Sequence, residues 1–146
     1  MTKGRQLWRE TRFFAVAFAG LFVLLYFATP PVNIRKTYFK QLEASPGEIV
    51  TLAAEGYWWR QCPATISGRW LDAQNLYVFK VDPSFEGGRA LASFKYTVNE
   101  YKKVIPRKTT NGFPLPKRIC YQTVSKHFCG IVQTSSKSPL ACISIK

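Results

Sequence analysis

One histidine and four cysteines are the most reactive side chains in this sequence of 146 residues. His127 stands two residues before Cys129, so on a strand both face the same side, as a Cys–His nucleophile pair requires. Oxidation of the cysteine would end that chemistry. Asp72, Asp82 and Glu86 are near one another in sequence, and paired carboxylates can serve a glycosidase or a calcium site. Their spacing matches no EF-hand, and loop acids commonly cap turns. The chain has no phosphate-binding loop, no G-x-G-x-x-G and no H-E-x-x-H. It therefore reads as a binding protein and not as an enzyme, without cofactor or metal; a small envelope hydrolase is the minor alternative.

Recognition chemistry is denser. Tyr57, Trp58, Trp59 and Arg60 are consecutive, and a second Trp–Arg pair, Arg69 and Trp70, follows ten residues on. Trp and Arg are favoured at binding hot spots because a ring supplies apolar area while a guanidinium makes paired hydrogen bonds to phosphate or carboxylate. Trp58, Trp59, Arg60 and Arg69 are the candidate binding residues, provided that residues 64–72 pair back against residues 48–59. A membrane-interface role for an exposed Trp is the competing reading, and the plainest one packs all these rings in the core.

Cys62, Cys120, Cys129 and Cys142 form an even set in a small domain, which signals disulfides. With no C-x-x-C and a single histidine, they fit no zinc ribbon or finger. Two schemes stand side by side: Cys62–Cys129 with Cys120–Cys142, or Cys120–Cys129 with Cys62–Cys142. One bridge with two buried thiols is the third possibility.

The formal charge is +13. From residue 30 onward seventeen Lys and Arg face seven Asp and Glu, leaving +10. Such a charge favours anionic partners. The cations are scattered in ones and twos with no basic helix face, which disfavours nucleic acid. An anionic envelope polymer, lipid headgroups or a protein partner fit better; the charge can also serve solubility alone.

The elements that must position these residues begin with Phe13 to Ala28, sixteen residues without a charge. The leader before it carries Lys3, Arg5, Arg9 and Arg12 against Glu10, which favours retention inside a bacterial inner membrane with the rest exported to the periplasm. Tyr26 or Phe27 would occupy the −3 position of a signal-peptidase site, so an uncleaved anchor is preferred to secretion after cleavage. The expected layout is a cytoplasmic leader over 1–12, a transmembrane signal-anchor helix over 13–32, a juxtamembrane connector of weak helical spacing over 33–45 and an exported domain over 46–146.

Within that domain short strands are expected over 48–59, 64–72, 76–81, 90–101, 118–124, 128–134 and 140–146. Gly56 marks a bulge, Ala73-Gln74-Asn75 a hairpin, and Ser125-Lys126-His127 a turn. Phe94, Tyr96 and Val98 alternate with Lys95, Thr97 and Asn99, the pattern of a half-buried strand. Strands at about ten-residue intervals with no further helix predict an all-β fold, an antiparallel immunoglobulin-like sandwich behind one transmembrane helix.

Several landmarks fall in a recognisable order. Pro46-Gly47 enters the first strand, Arg60 and Cys62 follow, then Arg69 and Asp72, Tyr77, Ile105-Pro106, Gly112, Tyr121 and Cys129. In this order the chain resembles small exported proteins of tailed bacteriophages, in which a signal or anchor precedes an immunoglobulin-like β domain. The resemblance implies a phage origin and that fold, and assigns no functional residue. The antibody pattern itself is unmet, since Tyr121 is not two residues before Cys129. Together these readings give a membrane-anchored exported binding module at the bacterial envelope, with a structural component of a membrane-embedded assembly or virion as the alternative.

Overall fold

The computed structural model describes residues 2–28, 32–58, 62–87, 93–130 and 132–146. Thr2–Ala28 is one helix, α1, whose apolar side chains between Phe13 and Tyr26 are exposed. Among the described residues no helix is long and apolar enough to cross a membrane. The physical reason is length. The uncharged run rises only about 24 Å against roughly 30 Å of hydrocarbon. Arg9, Glu10 and Arg12 precede it, and Val32, counted in the expected span, opens a strand instead. The transmembrane signal-anchor, the single-span membrane partner and the single-span inner-membrane placement are overturned by this. Residues 29–31 of that span are outside the described residues.

The rest is β structure: β1 (Val32–Phe39), β2 (Glu43–Ala44), β3 (Ile49–Trp58), β4 (Ala64–Asp72), β5 (Val78–Val81), β6 (Phe85–Gly87), β7 (Ser93–Val104), β8 (Arg118–Cys129), β9 (Val132–Lys137) and β10 (Ala141–Ile145). They form two sheets. One has three antiparallel strands in the order β1-β3-β7, and the other seven, with the path β2-β10-β8-β4-β5, β6 on β4 and β9 on β8. The second sheet is mixed, because β2 runs parallel to β10. This replaces the simple antiparallel immunoglobulin-like sandwich expected from strand spacing.

The core lies between the sheets. Phe39, Val50 and Leu52 of the smaller sheet meet Trp70, Phe79, Ile119, Tyr121, Ala141 and Ile143 of the larger. Trp70 stacks on Phe39 at 6.1 Å and meets Tyr121 edge-on at 4.8 Å. Such ring pairs add roughly 1 kcal/mol each beyond the area they bury.

Three local readings change. The stretch 33–45 is no helical connector but holds most of β1 and all of β2. A register shift between Ile34 and Lys36 interrupts its alternation, and this hides the strand. The irregularity expected at Gly56 sits on its partner: an ideal Cβ at Gly56 would lie 2.2 Å from the Asn33 carbonyl oxygen, so only glycine lets β1 approach. Ser125-Lys126-His127 is not a turn but the interior of β8, with Ser125 and His127 buried; the chain reverses at Gly130, whose φ is 67°.

Two disulfides close the fold, Cys62–Cys129 and Cys120–Cys142. The second joins register partners on β8 and β10, the first ties the approach to β4 to the end of β8. The Cys62–Cys129 link spans 67 residues, and in the chain-entropy account a loop of that length stabilises by about 4 kcal/mol. The double variant Cys62→Ser, Cys129→Ser should lose about that much in denaturant unfolding under oxidising conditions, and alkylation of the denatured wild-type chain should label no thiol before reduction.

Candidate functional site

Of the sequence-derived binding residues, Trp59 and Arg60 lie outside the described residues, and Trp58 is described only as the last residue of β3, paired with Ser93. Arg69 is on β4, opposite Val81 and Gln122. The hairpin that would join them does not form, since β3 and β4 belong to different sheets. Trp70 is a core residue, 1% exposed. The catalytic alternatives separate as well. Cys129 is in a disulfide, and His127 Nε2 lies 3.1 Å from Ser125 Oγ inside β8. Asp72 caps the following turn through the Gln74 N–H at 2.8 Å, Glu86 sits on β6, and Asp82 has a structural task described below. Among the described residues no group of three His, Cys, Asp or Glu side chains could hold a metal ion.

The structure assembles a different site where the sheets part at one edge. β7 ends there with Lys102 and Lys103. The chain then runs through Ile105, whose N–H donates to the Glu48 carbonyl at 2.8 Å and whose carbonyl accepts from the Gly47 N–H at 2.9 Å. That anchorage, with φ of 85° at Gly47, lays the Arg107 side chain across a position where an ideal Cβ would come within 3.1 Å of Nε. The following loop is tied to the edge strand β5: the Thr110 N–H donates to the Phe79 carbonyl at 3.2 Å, and the Thr110 hydroxyl donates to the same oxygen. The loop closes on itself through the Phe113 N–H to Thr109 Oγ1 at 3.0 Å.

Between these segments opens a cleft of about 590 Å³, whose charged walls are Lys80, Lys102, Lys103, Arg107 and Lys108 against one acid, Asp82. It shares Lys80 and Lys108 with a neighbouring hollow of about 800 Å³, which is flanked by the exposed rings of Tyr77 and Phe113. The one acid is already engaged. Asp82 Oδ1 accepts from Trp70 Nε1 at 3.3 Å and Oδ2 accepts from the Tyr121 hydroxyl at 3.2 Å, while Lys103 Nζ stands 3.9 Å away. Among the described residues Lys80, Lys102, Arg107 and Lys108 make no ion pair. The cleft is therefore a concave, uncompensated cationic surface, the arrangement that concentrates anions. Its members are scattered from residue 80 to residue 108, so no local run in the sequence announces it.

No family model matches the chain, and no curated protein does. Solved structures similar to it include the alkylpurine DNA glycosylase AlkC of Pseudomonas fluorescens bound to DNA containing an abasic site analog, at 12% identity and a TM-score of 0.49. That match covers 80% of this chain and 30% of the other. The sporulation control protein Spo0M of Bacillus subtilis is similar at 14% identity and a TM-score of 0.41, over 81% of this chain and 50% of that one. The chain thus spans half or less of the length of either, and neither likeness carries a functional argument.

Burial raises the Tyr121 phenol well above its ordinary range, and the charge and hydrogen bond of Asp82 push it the same way. A phenol that holds its proton more tightly when folded contributes stability that is complete below about pH 10 and is lost as the pH rises beyond it. Ultraviolet titration should show this tyrosine ionising after the exposed ones, together with unfolding. Tyr121→Phe should remove that late step and flatten the alkaline loss of stability.

Proposed function

We propose that this chain is an exported binding module for a partner bearing phosphate or carboxylate groups, and that the cleft between β5 and the end of β7 is where it binds. One observation carries the reading: four cations without ion pairs line a concavity whose single acid is held by two core rings and a lysine. A charge distributed only for solubility would be spread over convex surface and interleaved with acids. Here five cations flank one opening that holds a single acid. Arg107 and the lysines offer, respectively, paired donors and adaptable point charges, which suits an extended polyanion better than a single small ion. Two disulfides in a domain of this size fit an oxidising compartment, which supports export.

The test uses the full chain with two probes, inorganic polyphosphate and poly-glutamate, followed by fluorescence anisotropy. Binding should weaken steeply with salt, since the Debye length falls from about 10 Å at 0.1 M to about 3 Å at 1 M. The triple variant Lys80→Glu, Lys102→Glu, Lys108→Glu changes exposed residues only, so it should fold normally and lose about tenfold or more in affinity. Binding of both probes to the folded triple variant as tightly as to the wild type would refute the cleft as the site.

A further inference from the structure

The outer face of the three-stranded sheet contradicts the pattern by which its strand was recognised. Tyr96 and Val98, the apolar half of the β7 alternation, are 45% and 51% exposed. Their alternating neighbours Thr97 and Asn99 pair with Gly56 and Ala54, which face the core. The apolar stripe of β7 points away from the core.

What gathers there is specific. Tyr57 on β3 is the register partner of Tyr96, and Glu55 lies between Lys36 of β1 and Val98 of β7. The Tyr57 and Tyr96 rings are 5.2 Å apart at 73°, forming a corner. The Tyr96 hydroxyl donates to Glu55 Oε2 at 2.8 Å, and the Tyr38 hydroxyl also hydrogen-bonds Glu55. These two bonds hold the Glu55 carboxyl below its usual range, so it is charged at neutral pH. A carboxylate has about four acceptor positions, so two phenols leave about half of its capacity open.

Partner chemistry follows from that inventory. Glu55 has Lys36 as its register partner, so this face presents no uncompensated cation and does not duplicate the cleft. An apolar peptide side chain would cover the rings but leave a charged acceptor unsatisfied. A sugar ring answers both needs. Its C–H face lies against the negative face of an aromatic ring, and its hydroxyls donate to a carboxylate. Gluco-configured rings suit best, because with every substituent equatorial both faces present only C–H.

We propose that the outer face of the three-stranded sheet is a saccharide-binding site, with one gluco-configured ring seated in the corner of Tyr57 and Tyr96 and donating hydroxyls to Glu55. The site is independent of the cationic cleft and takes an uncharged ligand.

Calorimetry and tyrosine fluorescence of the full chain with cellotetraose and chitotetraose test it. At least one should bind, with an affinity that is insensitive to salt and unaffected by the triple lysine variant of the cleft. Tyr57→Ala should weaken it about tenfold, the usual scale for losing one stacking ring. Should Tyr57→Ala fail to fold, Glu55→Gln keeps shape and removes charge, and Tyr96→Phe removes only a hydroxyl; each should weaken binding by a few-fold. Absence of binding by both sugars up to about 10 mM, beyond the weak end of specific affinity, overturns the proposal. So does sugar binding that all three variants leave unchanged. An oligothymidylate that binds where the sugars do not, and is lost in Tyr57→Ala, would assign the face to base stacking and overturn it equally.

Discussion

Trp70 and Tyr121 carry two polar tips into the core between the sheets, and both tips end on the carboxylate of Asp82. A buried donor without a partner costs about 1–3 kcal/mol, so one acid at the start of a loop keeps two central rings affordable to the fold. Gly68 belongs to the same arrangement. An ideal Cβ there would fall 1.7 Å from the Tyr121 hydroxyl, so the phenol reaches Asp82 only across a residue with no side chain. The Asp82 backbone is fixed too, its N–H donating to the Gly68 carbonyl at 2.8 Å. The carboxylate also lines the cleft, where Lys103 Nζ lies 3.9 Å from the Oδ2 that accepts the phenol and 4.9 Å from the Tyr121 ring. Core packing and the electrostatics of the opening therefore meet in one side chain.

The β class, the disulfides and several strands were legible because each rests on local chemistry. Residues 64–72 match β4, the turn at 73–75 leads into β5 as expected, and the first cysteine scheme is the one that formed. What could not be read depended on partners distant in sequence. The bulge in β1 breaks the period-2 pattern that marks a strand. β8 runs straight through a polar triplet because Ser125 bonds to Ser136 across the β8–β9 pair, at 2.8 Å. Tyr96 and Val98 announce the right element with the wrong side inward, since alternation reports that two faces differ and not which one meets the core.

The same limit explains the site. Tyr57, Trp58, Trp59 and Arg60 drew attention by adjacency, but successive strand residues point to opposite faces, and β3 pairs with neighbours other than β4. Lys80, Lys102, Lys103, Arg107 and Lys108 were unremarkable singles and pairs in the sequence. They meet because β5 and β7 are edge strands of different sheets, and an edge is where two sheets leave an opening between them. Lysines on edges also discourage pairing with another chain, so one distribution of charge can guard the edge and line a cleft.

The covalent map has a mechanical reading. Both disulfides end on β8, at Cys120 and Cys129, and their other ends are Cys62 and Cys142. When the chain is drawn out by its two ends, the shortest bonded route enters at Cys62 and crosses to Cys129. It then follows β8 back to Cys120 and leaves through Cys142. Everything from residue 63 to residue 119 hangs from that route as slack loop. The cleft lysines, Asp82, Arg107 and all of β7 are within it. Tension on the ends is carried past these segments by sulfur–sulfur bonds, and an occupant of the cleft is held by a part of the chain that the pull does not straighten.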